Sequence, residues 1–230
     1  VVDAHGLGRL AVAVARTPGT AIVTILGIDG TGASGRSVLI DGARATACGS
    51  GCYRAPAGAG PVAVSVDGRL TRFDLPATAP DATARVRRAT AAYRATRSVV
   101  FDETLSAGVG SSVTRFTAVR PNRLAYQTKG GASAIVIGAR RWDRENAKSP
   151  FVESTQTPLD VTQPYWTSIS NAHLIAPNVV AFLDRSLPAW FRLTLGPALP
   201  RQMHMTAAAH FMTDRYVEFG GPATVSPPSR

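Results

Sequence analysis

Along most of this chain apolar residues recur at every second position, the pattern of half-buried strands. Residues 10–15, 21–26, 38–40, 62–66 and 71–75 are short runs rich in valine, isoleucine, leucine and alanine. Pro18-Gly19, Asp29-Gly30, Asp41-Gly42 and Asp67-Gly68 separate them, and dipeptides of this kind turn the chain. Strands at that spacing predict an immunoglobulin-like β-sandwich over residues 1–76. The segment Gly30-Thr31-Gly32-Ala33-Ser34-Gly35 has the letters of a dinucleotide-binding loop. The residues after it carry another strand pattern, not the helix whose N-terminus would meet a pyrophosphate, so it reads as a hairpin loop.

Residues 76–80 form a Pro/Ala/Thr linker, after which the period changes. Val86, Ala89 and Tyr93 fall three and four apart, predicting a helix to about Thr96 with Thr78 and Asp81 as a capping box. Strand patterns then return over 98–105, 112–119, 123–128, 132–137 and 140–144, and again over 151–156, 179–184, 189–195, 202–207 and 211–219. Between the two series, 164–175 carries no charge and has Trp166, Ile169 and His173 at helical spacing, predicting a second, buried helix. The expected whole is mainly β: a sandwich over 1–76, then over 77–230 a curled antiparallel half-barrel holding two helices in its concave face.

Of the 230 residues, 45% are hydrophobic and 17% charged, enough apolar content for a folded core and too little charge for disorder. No apolar run approaches the roughly 20 residues that span a bilayer. The net charge of +10 is almost all arginine, since Lys129 and Lys148 are the only lysines. Arg85, Arg87, Arg88, Arg94 and Arg97 fall on the polar side of the predicted helix, and Arg140, Arg141 and Arg144 surround Trp142. Neither group interleaves arginine with several aromatics, which argues against a nucleic-acid partner. A basic surface close to anionic lipid headgroups fits the charge equally well. Cys48 and Cys52, with two glycines between them, fit a small disulfide loop better than a zinc or thioredoxin-type site, and a disulfide points outside the cytoplasm.

The most unusual composition lies near the end. Met203, His204, Met205, His210 and Met212 gather all three methionines and half of the four histidines into one short stretch. Thioether and imidazole together suit copper. If a turn at 207–209 pairs the flanking strands, Met203, Met205, His210 and Met212 converge; the alternative is that the methionines fill core. Trp142, Trp166, Trp190, Phe191 and His173 are candidates to line an apolar pocket, or to fill one as core. No nucleophile elbow, zincin or phosphate-loop motif occurs, and Asp102 and Glu103 alternate to opposite faces of one strand, so an enzyme is not expected.

The runs Arg97-Ser98-Val99-Val100-Phe101-Asp102-Glu103, Ala118-Val119-Arg120-Pro121-Asn122-Arg123-Leu124, and Ile135-Val136-Ile137-Gly138 with Arg141-Trp142-Asp143-Arg144 resemble the LolA/LppX-type lipoprotein fold. That resemblance implies a half-barrel closed by helices around lipid or lipoprotein acyl chains. Cys48-Gly49-Ser50-Gly51-Cys52-Tyr53-Arg54, Pro188-Ala189-Trp190-Phe191 and the segment from Met205 to Met212 resemble the extracytoplasmic C-terminal part of actinobacterial copper-resistance membrane proteins of the CopD type. That resemblance implies a membrane-anchored ectodomain that binds or senses copper, with the membrane-embedded part of the same protein or a membrane partner beside it. Two further readings remain open: lipid or lipoprotein binding in the concave face, and a structural interaction module.

Overall fold

Tight turns fold the start of the chain into consecutive hairpins. In the computed structural model, which describes residues 1–229, these are β1 (Val2–Leu7), β2 (Leu10–Thr17) and β3 (Thr20–Leu26). Next come β4 (Val38–Ile40), β5 (Ala43–Arg44), β6 (Thr46–Gly49), β7 (Cys52–Pro56), β8 (Val62–Val66) and β9 (Arg69–Phe73). They make two antiparallel sheets, in the orders β1-β2-β3-β7-β6 and β5-β4-β8-β9. Val12, Val14, Val23 and Ile25 of the first share a core with Ile40, Val62, Val64 and Phe73 of the second. The sandwich is present, but its strand order is not the immunoglobulin one, in which the third strand crosses to the opposite sheet. The turns at Gly8 and Gly19, both at positive φ, leave no length of chain for a crossing, so β1, β2 and β3 stay side by side. The first crossing is the glycine-rich stretch after β3. It links two sheets and is therefore not a hairpin loop.

The Cys48–Cys52 disulfide is formed and closes the β6–β7 hairpin. Gly51 at its tip sits at φ +63, and a Cβ there would lie 2.4 Å from the Ile25 carbonyl oxygen. At the other end of the sandwich Arg16 is 1% exposed. Its guanidinium donates to the carbonyls of Gly58, Gly60 and Leu75, tying the β7–β8 loop to the chain where it leaves β9.

The rest of the chain is a helix, α1 (Thr83–Ala95), and a single sheet. Its strands are β10 (Ser98–Ser106), β11 (Ser112–Val119), β12 (Arg123–Thr128), β13 (Ser133–Ile137), β14 (Arg140–Arg144), β15 (Val152–Thr155), β16 (Ser170–Ala176), β17 (Val179–Asp184), β18 (Ala189–Leu195), β19 (Pro200–Ala207) and β20 (His210–Phe219). The order is β15-β14-β13-β12-β11-β10-β20-β19-β18-β17-β16, eleven antiparallel strands whose end strands β15 and β16 do not pair with each other, so no barrel closes.

α1 starts later than the capping-box pattern predicts. Pro80 disfavours helical backbone just before it, and residues 80–82 lie alongside β16: Ala82 N–H donates to Ala172 and Leu174 N–H donates to Pro80. Asp81, not Thr78, meets the first turn, accepting from the Thr83 N–H and hydroxyl. The predicted second helix is absent: 164–169 is irregular chain and 170–176 is β16. Serines, threonines and an asparagine compete for backbone bonds here, and Asn171 takes a positive φ of 53. Among the described residues α1 is the one helix, and with the strap of residues 156–169 it covers one face of the sheet.

Alternation along β17 and β18 decides what each face of the sheet meets. Val180, Phe182, Phe191 and Leu193 pack under Val86 and Ala89 of α1 and Trp166 of the strap. Ala181 faces the other way and joins the sandwich core. On that side Arg192 lies 3.1 Å from Asp3, the Thr206 hydroxyl donates to the Ala4 carbonyl, and a Cβ on Gly6 would sit 2.9 Å from the Phe211 ring. Burial raises the Asp3 carboxyl above its ordinary value, with Arg192 and His5 pulling it back. The turn after β10 meets the sandwich as closely, since a Cβ on Gly108 would lie 1.9 Å from the Gly8 carbonyl oxygen and Gly108 is at φ +84. Gly108→Ala is expected to cost about 1–3 kcal/mol in urea unfolding. An unchanged midpoint would show that the two regions do not abut there.

Candidate functional site

The β19–β20 hairpin carries the methionine-rich stretch. Its register sets Ala207 opposite His210, Met205 opposite Met212 and Met203 opposite Asp214. Paired residues share a face, so Met203, Met205, Met212, His210 and Asp214 all lie on the side of the sheet that faces α1. Met203 and Met212 are buried in the core with Phe191 and Leu193. Met205 is half-buried, and His210, beside the turn, is exposed. His204 points to the opposite face, where its Nδ1 lies 2.9 Å from the Thr213 hydroxyl; burial lowers its pKa, as it does for His5.

Continuing across the sheet, Asp214 stands opposite Glu103, Glu103 opposite Thr114, and Thr114 opposite Thr128. A polar row thus crosses an otherwise apolar face. The two threonine hydroxyls are 3.0 Å apart, and Glu103 accepts a 3.1 Å bond from the Tyr165 hydroxyl of the strap. Asp214 has neither kind of help. It is 0% exposed, and both carboxyl oxygens are without a hydrogen-bond partner; the Tyr216 hydroxyl, two residues on, is buried and equally unpartnered. Burial, and then the negative charge of Glu103, push the Asp214 carboxyl up to about 8, so at neutral pH it keeps its proton. Burial also raises Glu103 and the hydroxyls of Tyr93, Tyr165 and Tyr216.

Asp102 and Glu103 do point to opposite faces, Asp102 to a salt bridge with Arg115. The acid that meets Glu103 comes from more than a hundred residues later. The sequence signal for it is an aspartate at a core-facing position of the alternating run 211–219.

The strap is held at its end by Asp184, whose carboxylate accepts from the backbone N–H groups of Thr167, Ser168 and Ser186 and from the Ser168 and Ser186 hydroxyls. Burial opposes ionisation of Asp184, but these donors outweigh it and hold the carboxyl well below the usual carboxylate range. Trp166 is thereby pressed into the core, 1% exposed, with its indole N–H donating to Thr90 of α1 at 2.7 Å. Where strap and helix meet, an open groove of about 740 Å³ is lined by Arg87, Ala91, Arg94, Ala95, Trp166 and Ile169, among others.

The aromatic pocket residues expected from the sequence do not form one wall. Trp166 and Phe191 meet, with ring centroids 5.9 Å apart. Trp190 alternates to the opposite face from Phe191. Trp142 lies at the far end on β14, with its N–H on Glu153 and Arg140 stacked over its ring. His173 sits on edge strand β16 with its Nδ1 against the Asn171 carbonyl. Strand alternation and the width of the sheet separate them.

The chain matches no protein-family model and no curated protein. Among solved structures it is similar to LprF from Mycobacterium bovis, with 11% identity and a TM-score of 0.40 over 66% of this chain and 100% of that one. That match lends no support to the copper-resistance resemblance.

The Asp214 environment has a consequence for pH. Between about pH 4 and about pH 8 the native protein holds a proton that the unfolded chain has released. This group's contribution to stability is therefore full below the unfolded value of 3.8 and is lost as pH rises through about 8. Asp214→Asn is neutral throughout. Its thermal midpoint relative to the parent is expected to improve steadily from about pH 5 to about pH 8 and then to level off, contributions from His5 and His204 being common to both. A constant difference would mean that Asp214 titrates as an ordinary aspartate.

Proposed function

We propose that the chain is a non-enzymatic, extracytoplasmic binding module whose ligand is an amphiphile with an anionic head, such as a lipid or a lipoprotein's lipid. The observation that carries this reading is the groove between α1 and the strap. Its alanines and Ile169 offer apolar surface over the buried Trp166, and Arg87 and Arg94 line it too, an arrangement matched to an acyl chain joined to a phosphate or carboxylate. The arginine excess and the Cys48–Cys52 disulfide agree with it, the latter as the chemistry of oxidising compartments. Among the described residues no helix is long and apolar enough to cross a membrane.

The apolar face under α1 is closed by Trp166, Phe182 and Phe191, each 1% exposed or less. The ligand therefore lies along the groove, with its chain entering only as far as the strap gives way. The strap and helix belong to no sheet, so they can shift without breaking a ladder of strand hydrogen bonds.

The test is co-sedimentation with phosphatidylglycerol and phosphatidylcholine vesicles, with native mass spectrometry of the recovered protein. Binding is expected to the anionic vesicles, with a bound mass of several hundred daltons on the protein. Arg87→Glu with Arg94→Glu should weaken it by about tenfold or more. Equal binding to both vesicles, or none, would overturn the reading.

A further inference from the structure

We propose that Asp214 and the three methionines around it, Met203, Met205 and Met212, hold one soft monovalent cation, Cu(I) or Ag(I), on the helix-facing side of the sheet. A buried carboxyl with no partner costs free energy that folding ordinarily avoids, and both Asp214 oxygens are in that state beside the equally unpartnered Tyr216 hydroxyl. No salt bridge reaches Asp214 among the described residues.

With Glu103 opposite it on β10, its same-face neighbours toward β19 and the turn are methionines. Met203 is directly opposite on β19, Met212 is two residues away on the same face of β20, and Met205 is opposite Met212. These are all the methionines in the chain. Three soft thioethers beside one carboxyl, which gives up its proton to solvent as the ion binds, fit a large, polarisable ion of charge +1. A divalent ion that prefers oxygen or imidazole is a poorer match, because among the described residues no group of three or more His, Cys, Asp or Glu is placed to hold a metal. Glu103 stays outside the set, its carboxylate taken by Tyr165. His210 stays outside it too, exposed at the turn end of the hairpin. The ligand set thus differs from the one the sequence suggests by exchanging His210 for Asp214. The site does not depend on the amphiphile reading, since it lies under the strap and not in the groove.

Titration of the full chain with Ag(I), which is redox-inert, and with Cu(I) added anaerobically against a colorimetric chelator, tests this. One ion per chain is expected. Met212→Leu and Asp214→Asn should each weaken uptake by about tenfold or more, and His210→Ala should leave it unchanged; near-UV circular dichroism verifies that each variant is folded. No uptake by the parent protein would overturn the proposal without reference to any variant. Uptake lost in His210→Ala and kept in Asp214→Asn would overturn it as well, by moving the ion to the turn.

Discussion

Strands β17 and β18 must bury both of their faces, and the architecture is a consequence of that requirement. A sheet that is apolar on two sides needs two covers. One is α1 with Trp166, which packs on Phe182, Phe191 and Leu193. The other is the sandwich, whose β1 crosses the opposite face and whose core takes in Ala181 and Ile175. The contacts that fix this second cover are partly polar: the Asp3–Arg192 pair and the bond from Thr206 to the Ala4 carbonyl. Asp3 is only 2% exposed, so Arg192 is what makes its charge tolerable there.

Against that background the row from Asp214 through Glu103 to Thr114 stands out. Several other buried polar groups are answered at their charged or donating ends: the Arg16 NH groups by three carbonyls, Asp184 by a ring of N–H and hydroxyl donors, Trp166 by Thr90. Asp184 shows what the fold does with a carboxylate it uses for support, pinning the strap that closes the helix face. Asp214 receives none of that treatment, although it lies on the same face. Groups left in such a condition are retained where a protein binds or switches more often than where it merely packs.

Much of this was legible in the sequence, because alternation is a local signal. The strands over 112–119, 123–128, 140–144, 179–184 and 189–195 could be read to the residue, and so could the disulfide and the shared face of Met203, Met205, His210 and Met212. What failed depended on the partner of a segment. Trp166, Ile169 and His173 have helical spacing, yet Asp184 and the edge of β17 decide that their backbone is extended. β1 was missed because Asp3, His5 and Gly6 interrupt its apolar pattern, and they do so because that strand meets Arg192, His204 and Phe211 across the junction. The Glu103–Asp214 pair was invisible for the same reason, since the register of β10 on β20 is set by the whole meander.

The helix-facing side of the sheet closes over a carboxyl group, Asp214, that has no hydrogen-bond partner. The most direct measurement is the carboxyl-carbon NMR shift of Asp214, assigned by comparison with Asp214→Asn and tracked across pH in the ion-free protein. A protonated acid at neutral pH that titrates at about 8 is expected. An ionised Asp214 at about pH 6, with an ordinary aspartate midpoint, would mean that a donor or cation of the protein reaches it, and would contradict the account.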